Sequence, residues 1–169
     1  MPSHLKSILV TGAGSGIGRE TALFLASRNF HVFAGVRNPS DLNAWSGHSN
    51  ITPVKLDVTC DEDVDEMRKM IEKQGAGLFG LVNNAGTVKA GPLMDVSTQD
   101  MREQFEVNLL GVHQITRAVF PLLHQAKGRI VMMSSDSGFF ATPFAGPYCA
   151  SKFALEGYSD SLRREVSPH

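Results

Sequence analysis

The sequence feature that most constrains the fold is a glycine-rich turn near the N-terminus. Gly12, Gly16 and Gly18 fall between a short apolar run, Ser7–Val10, and a segment with helical apolar spacing that runs to about Asn29. A buried strand joined to a helix by such a turn is typical of doubly wound α/β proteins, which place a pyrophosphate on the free amides of the helix N-terminus. We expect Gly12 to adopt the tight turn, Gly16 to let phosphates approach the backbone, and Gly18 to allow close packing of the helix.

The rest of the chain alternates between short apolar runs and segments with helical periodicity. Further strands are predicted at 31–36, 51–56, 78–83 and 129–134, a weak helix near 41–45, and long helices ending near 75, 123 and 166. Because strands alternate with helices of ten or more residues, we expect βαβ units, a mostly parallel sheet and helices on both faces. The predicted fold class is α/β, a three-layer doubly wound Rossmann fold with strands 1–5, in a single domain over residues 1–169.

Capping residues mark two of the helix starts. Thr59 followed by Glu62 has the form of a capping box, and Ser97 or Thr98 precedes the long central helix. The helix that follows Glu62 is expected to bury one apolar face, which includes Met70.

Composition and charge exclude several functions. Sixteen Lys and Arg residues against seventeen Asp and Glu residues give a net charge of −1, so no basic field for nucleic acid is present. The six histidines show no metal-ligand spacing, and Cys60 and Cys149 form no disulfide framework, which fits a reducing compartment. No apolar run approaches the roughly 18 residues that span a bilayer, and residues 1–6 lack signal-peptide features. We expect no metal, no nucleic acid, no membrane span and a cytoplasmic location.

The residue after the second predicted strand bears on the choice of dinucleotide. An acid there would hold the ribose 2′-hydroxyl of NAD, whereas an arginine would accept the 2′-phosphate of NADP. Arg37 stands at this position, which favours NADP(H) and leaves NAD(H) possible; a solvated surface arginine is the alternative interpretation. Asp57, just after the third strand, is placed either to meet the adenine edge or to help cap the next helix.

A tyrosine and a lysine at the start of the last predicted helix suggest proton-transfer chemistry. Tyr148 and Lys152 are one helical turn apart and share a face. A nearby ammonium favours the phenolate form of a tyrosine, whose pKa is otherwise about 10, so such a tyrosine can exchange a proton with a carbinol or carbonyl. Ser135 lies at the end of the fifth predicted strand, where its hydroxyl could hold a substrate oxygen as negative charge develops.

These elements together resemble the classical short-chain dehydrogenase/reductase family. The order and spacing of its motifs match over residues 6–166, and the matching segments in this chain are Thr11-Gly12-x-x-x-Gly16-x-Gly18, Leu56-Asp57-Val58, Asn83-Asn84-Ala85-Gly86, Val107-Asn108, Ser134-Ser135 and Tyr148-x-x-x-Lys152. The segments 80–86 and 147–157 are similar to steroid- and retinol-type members, which suggests an apolar alcohol or ketone.

The resemblance implies a role for each matching residue. Tyr148 would be the acid/base, Lys152 its pKa partner and ribose anchor, and Ser135 would orient the substrate oxygen. Asn108 would hold a water in a proton relay, although without the resemblance a helix-interior amide bonded to nearby backbone is the simpler interpretation. The expected cofactor-binding residues are Thr11, Gly12, Ser15, Gly16, Ile17, Gly18, Arg37, Asp57, Val58, Asn84, Ala85, Gly86, Tyr148 and Lys152. Ser15 stands where many NADP-preferring relatives carry a base, which weakens the expectation of NADP(H).

The expected function is therefore that of an NAD(P)-dependent oxidoreductase, with a hydride moving between nicotinamide and a secondary alcohol or carbonyl substrate. The family's catalytic domain is about 250 residues long, so the chain is expected to be C-terminally incomplete, without the strands and the loop that complete the substrate pocket. An alternative is a catalytically incomplete dinucleotide-binding module that forms hetero-oligomers. A sugar-nucleotide epimerase or dehydratase is disfavoured by the glycine spacing. The resemblance also implies a homodimer or homotetramer through helices at 101–123 and 148–166.

Overall fold

The computed structural model describes residues 5–166. Within these residues strands alternate with helices in the order that the sequence predicts. The strands are β1 (Ser7–Val10), β2 (His31–Val36), β3 (Ile51–Lys55), β4 (Gly80–Asn83) and β5 (Arg129–Met132). The α-helices are α1 (Gly16–Ser27), α2 (Asp61–Glu72), α3 (Thr98–Phe105), α4 (Gly111–Ala126) and α5 (Gly146–Val166). Short 3₁₀ helices cover Pro39–Trp45 and Asp136–Gly138, and one π-helical turn, Glu106–Leu110, joins α3 to α4.

The strands form one sheet in the order β3-β2-β1-β4-β5. The strand β1 pairs in parallel with both β2 and β4, and β2 pairs in parallel with β3. Residues 32–36 of β2 are buried, as expected for an interior strand of a parallel sheet covered on both faces. The order reverses direction at β1, so the carboxyl ends of β1 and β4 flank the switch point where doubly wound folds bind ligands. The predicted α/β Rossmann class is confirmed.

The chain divides into two compact units. The first comprises residues 5–85 and 114–131 and holds β1 to β4, most of β5, α1, α2 and the larger part of α4. The second comprises residues 86–113 and 132–166 and holds α3, the π-helical turn and α5.

Each unit has its own apolar interior. In the first, side chains of the sheet and of its helices are fully buried, among them Leu9, Phe33, Met67, Leu81 and Ile115. In the second, Leu155 of α5 is buried together with the polar residues Gln104, Asn108 and Ser151. The second unit therefore buries an unusual share of polar side chains, which must find partners because an unpaired buried amide or hydroxyl is costly.

The structure confirms some local predictions and corrects others. Three strands are shorter than predicted: β3 and β5 end earlier, and β4 begins later. Ser97 is the N-cap of α3 and its hydroxyl accepts a hydrogen bond from the Asp100 N–H, as predicted. The capping box at Thr59 is wrong, because the Thr59 hydroxyl donates to Asp57 (2.7 Å) and α2 begins after Cys60 without a side-chain cap. Met70 is 41% exposed and does not belong to the buried face of α2. The long central helix is interrupted by the π-helical turn, which its apolar spacing does not reveal.

None of the helices within residues 5–166 combines the length and the apolar character that crossing a membrane requires.

Candidate active site

The glycine turn of the first unit is shaped by backbone contacts that only glycine permits. Gly12 has φ +64°, and a Cβ atom there would lie 2.8 Å from the Cα of Ala85. A Cβ at Gly18 would collide with the Gly12 carbonyl oxygen and with the Asn84 side-chain nitrogen. The close approach expected at Gly18 is therefore made to the turn itself and to the loop after β4. These contacts fix the turn at the carboxyl ends of β1 and β4.

Thr11 and Asn84 lock this turn with reciprocal hydrogen bonds. The Thr11 hydroxyl oxygen accepts from the backbone N–H groups of Asn84 and Ala85, both at 3.0 Å. The side-chain amide of Asn84 donates to the carbonyls of Thr11 (2.9 Å) and Gly12 (3.2 Å). Because Thr11 is 1% exposed, its side chain positions the loop and has little surface to offer a ligand. Contact between Thr11 and a cofactor remains a prediction.

The N-terminus of α1 is open. Ser15 is its N-cap residue, is exposed and forms no side-chain cap hydrogen bond. Gly16 has φ +54°, and nothing lies within 4 Å of the position where its Cβ would be. Ile17, in the first turn, is 66% exposed. Uncapped amides beside an open glycine backbone fit an anionic ligand such as a diphosphate.

Residues after β2 and β3 border this region in different ways. Arg37 is exposed, and among the described residues no hydrogen bond or ion pair holds its guanidinium. The Asp57 carboxylate accepts from the N–H and hydroxyl of Thr59 (2.9 and 2.7 Å), so it shapes the turn before α2. It does not cap that helix, whose N-cap residue is Cys60, and its contact with the adenine edge remains a prediction. Val58 is buried, so only its backbone could contact a ligand.

Asp63 fixes the turn that carries Asp57, and the sequence analysis missed it. The Asp63 carboxylate is buried; it accepts from the Asp57 N–H (2.9 Å) and pairs with Lys55 (2.7 Å). Burial opposes its ionisation, but the Lys55 ammonium and the Asp57 N–H outweigh burial and lower the pKa of Asp63. Its signal was available as an acid in the first turn of a predicted helix.

Tyr148 and Lys152 lie one turn apart near the start of α5, in the second unit. The Lys152 Nζ lies 5.6 Å from the centroid of the Tyr148 ring. Lys152 is buried and donates to the Met133 carbonyl (2.6 Å). Burial lowers the pKa of Lys152, and the negative charge of Glu156, one turn further along α5, partly opposes that shift. The lysine is therefore held in place beside the tyrosine ring by a backbone acceptor.

Ser135 is the N-cap of the 3₁₀ helix Asp136–Gly138. Its hydroxyl accepts from the Ser137 N–H (3.1 Å) and donates to the Asp136 carboxylate (2.8 Å). This hydrogen bond from Ser135 is the largest contribution to the lowered pKa of Asp136. The strand β5 stops at Met132 rather than at Ser134 as predicted, so Ser135 lies further beyond its end than expected. The 3₁₀ cap thus sets the orientation of its hydroxyl.

Asn108 lies in the π-helical turn and is 1% exposed. Its Oδ1 accepts from the Thr87 N–H (2.9 Å), and its Nδ2 donates to the Thr87 carbonyl and the Ser151 hydroxyl oxygen, both at 3.0 Å. The Ser151 hydroxyl in turn donates to the Tyr148 carbonyl (2.7 Å). The side chain of Asn108 is therefore bonded to nearby backbone and to α5. The water relay remains a prediction.

Gln104 is a second buried amide that the sequence analysis missed. It is 0% exposed, donates to the Thr87 carbonyl (2.7 Å) and accepts from the Lys89 N–H (2.7 Å). Gln104 and Asn108 are four residues apart, and both amides clamp the segment 87–89. No local signal in the sequence distinguishes Gln104 from an exposed helical glutamine.

Replacing Gln104 with methionine is expected to lower the free energy of unfolding by about 1–3 kcal/mol, because it leaves the half-buried Lys89 N–H and the Thr87 carbonyl without their partner. Urea denaturation monitored by circular dichroism measures the free energy of unfolding. The matched control is Gln99→Met on the same helix, whose exposed amide bonds only Glu103 and whose loss should change stability by about 0.5 kcal/mol or less. Equal stability of the two variants would contradict the clamp.

The structure thus brings the expected residues together in two groups. In the first unit, Thr11, Gly12, Asn84 and Ala85 are joined by hydrogen bonds and close contacts. In the second, Asn108 is linked through Ser151 to Tyr148, and Lys152 lies beside the tyrosine ring. Gly86 is exposed. Within residues 5–166 no group of His, Cys, Asp or Glu side chains is arranged to hold a metal ion.

A parallel sheet in this order, with a glycine turn at its switch point, defines the class of Rossmann-type nucleotide-binding domains. Residues 6–169 match the model of the family described as "short chain dehydrogenase". The chain belongs to the short-chain dehydrogenase family.

Individual relatives agree with this assignment. The chain is 44% identical over 163 residues to the uncharacterized oxidoreductase YbbO of Escherichia coli K12, covering 95% of this chain and 60% of that protein. It is 40% identical over 173 residues to human retinol dehydrogenase 5, and this match covers 99% of this chain and 54% of that protein. The chain thus spans a little over half the length of these relatives.

Solved structures show the same fold. A short-chain dehydrogenase from Streptomyces avermitilis superposes with a TM-score of 0.91 at 30% identity, covering 99% of this chain and 63% of that one. The protein ElxO with NADP bound superposes with a TM-score of 0.90 at 29% identity, and the match covers 97% of this chain and 69% of that one.

Proposed function

We propose that this protein is an NAD(P)-dependent oxidoreductase that interconverts a secondary alcohol and a carbonyl compound. The observation that carries the proposal is the pair on α5, where the buried Lys152 ammonium, tethered to the Met133 carbonyl, lies 5.6 Å from the ring of Tyr148. A cation held beside a phenol favours the phenolate, which is the form a tyrosine needs to act as a base. Membership of the short-chain dehydrogenase family supports the same reaction type.

The first unit is proposed to bind the dinucleotide. The open amides at Ser15, Gly16 and Ile17 would hold the diphosphate, and the positive φ of Gly16 leaves room for its approach. Asn84 and Thr11 would keep this turn in place. Arg37 is proposed to face the 2′-oxygen of the adenosine ribose, which supports NADP(H) over NAD(H); ElxO, of similar fold, has a structure with NADP bound.

The second unit is proposed to handle the proton. Nicotinamide, when bound, supplies or accepts the hydride at the substrate carbon. In the reducing direction the Tyr148 hydroxyl gives its proton to the substrate oxygen, and in the oxidising direction the phenolate takes it back. Lys152 stabilises the phenolate. Ser135 donates a hydrogen bond to the same substrate oxygen, which requires its hydroxyl to turn away from Asp136. Asn108 positions the α5 backbone through Ser151.

An apolar substrate is proposed on the basis of exposed side chains in the second unit. The Gly91 N–H donates to the Phe144 carbonyl (2.7 Å), which joins the segments 88–94 and 139–144. Together these segments expose large apolar side chains, namely Val88, Leu93, Met94, Phe139, Phe140 and Phe144. Exposed apolar side chains on two joined segments support a surface that binds an apolar molecule. Retinol dehydrogenase 5 and D-beta-hydroxybutyrate dehydrogenase, named for alcohol substrates of different polarity, are both among the relatives.

The experiment that tests the proposal is cofactor-dependent reduction. The full-length protein is incubated with NADPH or NADH and a series of aliphatic, aromatic and steroidal ketones, and loss of absorbance at the nicotinamide band is followed. Reduction of at least one apolar ketone is expected. Binding of NADPH without turnover of any ketone or alcohol would instead favour the non-catalytic dinucleotide-binding module.

We also propose that the protein self-associates and acts in the cytoplasm. Leu110 in the π-helical turn and Phe153 on α5 each leave nearly half of the residue exposed, at 48% and 46%, which supports a contact between copies through these helices. Cys60 and Cys149 are free thiols, which fits a reducing compartment. Light scattering after size-exclusion chromatography measures the mass, and a dimer or tetramer is expected.

A further inference from the structure

An aspartate that belongs to no motif lies against the glycine turn of the first unit. Asp41 is in the 3₁₀ helix Pro39–Trp45. A Cβ built on Gly14 would lie 2.8 Å from the Asp41 Oδ2, so the carboxylate abuts the Cα of Gly14. Gly14 is the middle residue of the turn between Gly12 and Gly16. A negative charge is therefore placed directly beside the segment proposed to bind the dinucleotide.

The local backbone holds the carboxylate at this position. The Asp41 N–H donates to the Asn38 carbonyl (3.0 Å), and Pro39 starts the 3₁₀ helix with a fixed φ. The glycine turn is in turn tied to the end of β2, because the Ala13 N–H donates to the Gly35 carbonyl (2.8 Å). Asp41 therefore stays close to both the turn and the end of β2.

This position matters because doubly wound folds place the adenosine ribose between the glycine turn and the residue that follows the second strand. Arg37 follows β2 here, and within residues 5–166 its guanidinium has no ion-pair partner. A ribose 2′-phosphate in this place would be attracted by Arg37 and repelled by Asp41. A ribose 2′-hydroxyl, in contrast, could donate a hydrogen bond to the Asp41 carboxylate.

We propose that Asp41 is a specificity-determining residue that disfavours the 2′-phosphate of NADP and favours the 2′-hydroxyl of NAD. The inference rests on the proposed function and assigns a second, opposing charge to the same cofactor site. Arg37 and Asp41 together give the protein only a small preference between the two dinucleotides, and removing either charge produces a strong preference.

The test compares dissociation constants, measured by the change in nicotinamide fluorescence when NADPH or NADH binds to the full-length protein. The isosteric substitution Asp41→Asn is expected to tighten NADPH binding about tenfold and to weaken NADH binding about threefold, because it removes a repulsive charge and weakens a hydrogen-bond acceptor. Arg37→Ala is expected to weaken NADPH binding by about tenfold and to leave the dissociation constant for NADH unchanged. The tighter binding of NADPH by the Asp41→Asn protein should become less pronounced at high salt, because salt screens the charge of Asp41 in the wild-type protein.

The matched control is Glu66→Gln, which removes one negative charge from the exposed surface of α2 and should leave both dissociation constants unchanged. A ratio of NADPH to NADH affinity in Asp41→Asn equal to that of the wild-type protein, with both dinucleotides bound, would overturn this inference and leave the proposed function standing. A wild-type protein that binds neither dinucleotide would overturn both.

Discussion

Replacing Tyr148 with phenylalanine is expected to lower kcat by about a thousandfold or more, in line with the loss of a positioned acid–base group. The substitution removes only the phenolic oxygen, and the Lys152 ammonium keeps its aromatic neighbour and its bond to the Met133 carbonyl. The dissociation constant for the preferred dinucleotide is therefore expected to change by no more than about threefold. Steady-state kinetics with an apolar ketone and fluorescence titration with the dinucleotide measure the two effects.

The matched control is Tyr158→Phe, ten residues further along the same helix. The Tyr158 hydroxyl is hydrogen-bonded to His113 (3.2 Å) and has no proposed part in the reaction. Its removal should leave kcat within about twofold of the wild-type value. A Tyr148→Phe protein that kept the wild-type rate would show that another group exchanges the proton.

Replacing Gly18 with alanine is the second change with a large expected effect. The added methyl group would overlap the Gly12 carbonyl oxygen and the Asn84 side-chain amide, and neither can move without disturbing the hydrogen bonds from Asn84 to Thr11 and Gly12. We expect the free energy of unfolding to fall by about 2–4 kcal/mol and dinucleotide binding to be lost. Thermal and urea denaturation measure the first effect, and fluorescence titration measures the second.

Substitutions at two other glycines serve as controls that distinguish loss of packing from loss of ligand binding. Gly157, inside α5, has open space around it, so Gly157→Ala should raise stability by up to about 1 kcal/mol through helix propensity. Gly16 is open but has φ +54°, so Gly16→Ala should cost about 1–2 kcal/mol and weaken dinucleotide binding while the protein stays folded. A Gly18→Ala protein as stable as Gly157→Ala would contradict the packing described for the turn.

The sequence predicted the strands and the parallel sheet because these follow from local patterns, whereas the strand order comes only from the structure. The strands at Ser7–Val10 and His31–Val36 are predicted with their observed bounds, since uninterrupted apolar runs between turn residues leave little choice of boundary. The positive φ of Gly12 and Gly16 also fits their spacing, because a turn between a strand and a helix requires residues that tolerate positive φ.

The parts that the sequence could not predict depend on partners far along the chain. Gln104 gives no local sign that Thr87 and Lys89 will hold its amide, and Asp41 gives none that it will lie against Gly14. The π-helical turn that holds Asn108 is likewise not indicated by apolar periodicity, and the partners of Asn108, Thr87 and Ser151, are distant in sequence. Such contacts are fixed by tertiary packing, which residue patterns do not encode in short windows.

The most direct measurement of the central claim is transfer of deuterium to a ketone from NADPH that carries deuterium at both C4 positions of the nicotinamide, with mass spectrometry of the alcohol formed by the full-length protein. The account predicts one deuterium on the carbinol carbon with the wild-type protein and almost no product with Tyr148→Phe. Alcohol that carries no deuterium, or labelled alcohol formed equally fast by Tyr148→Phe, would contradict it.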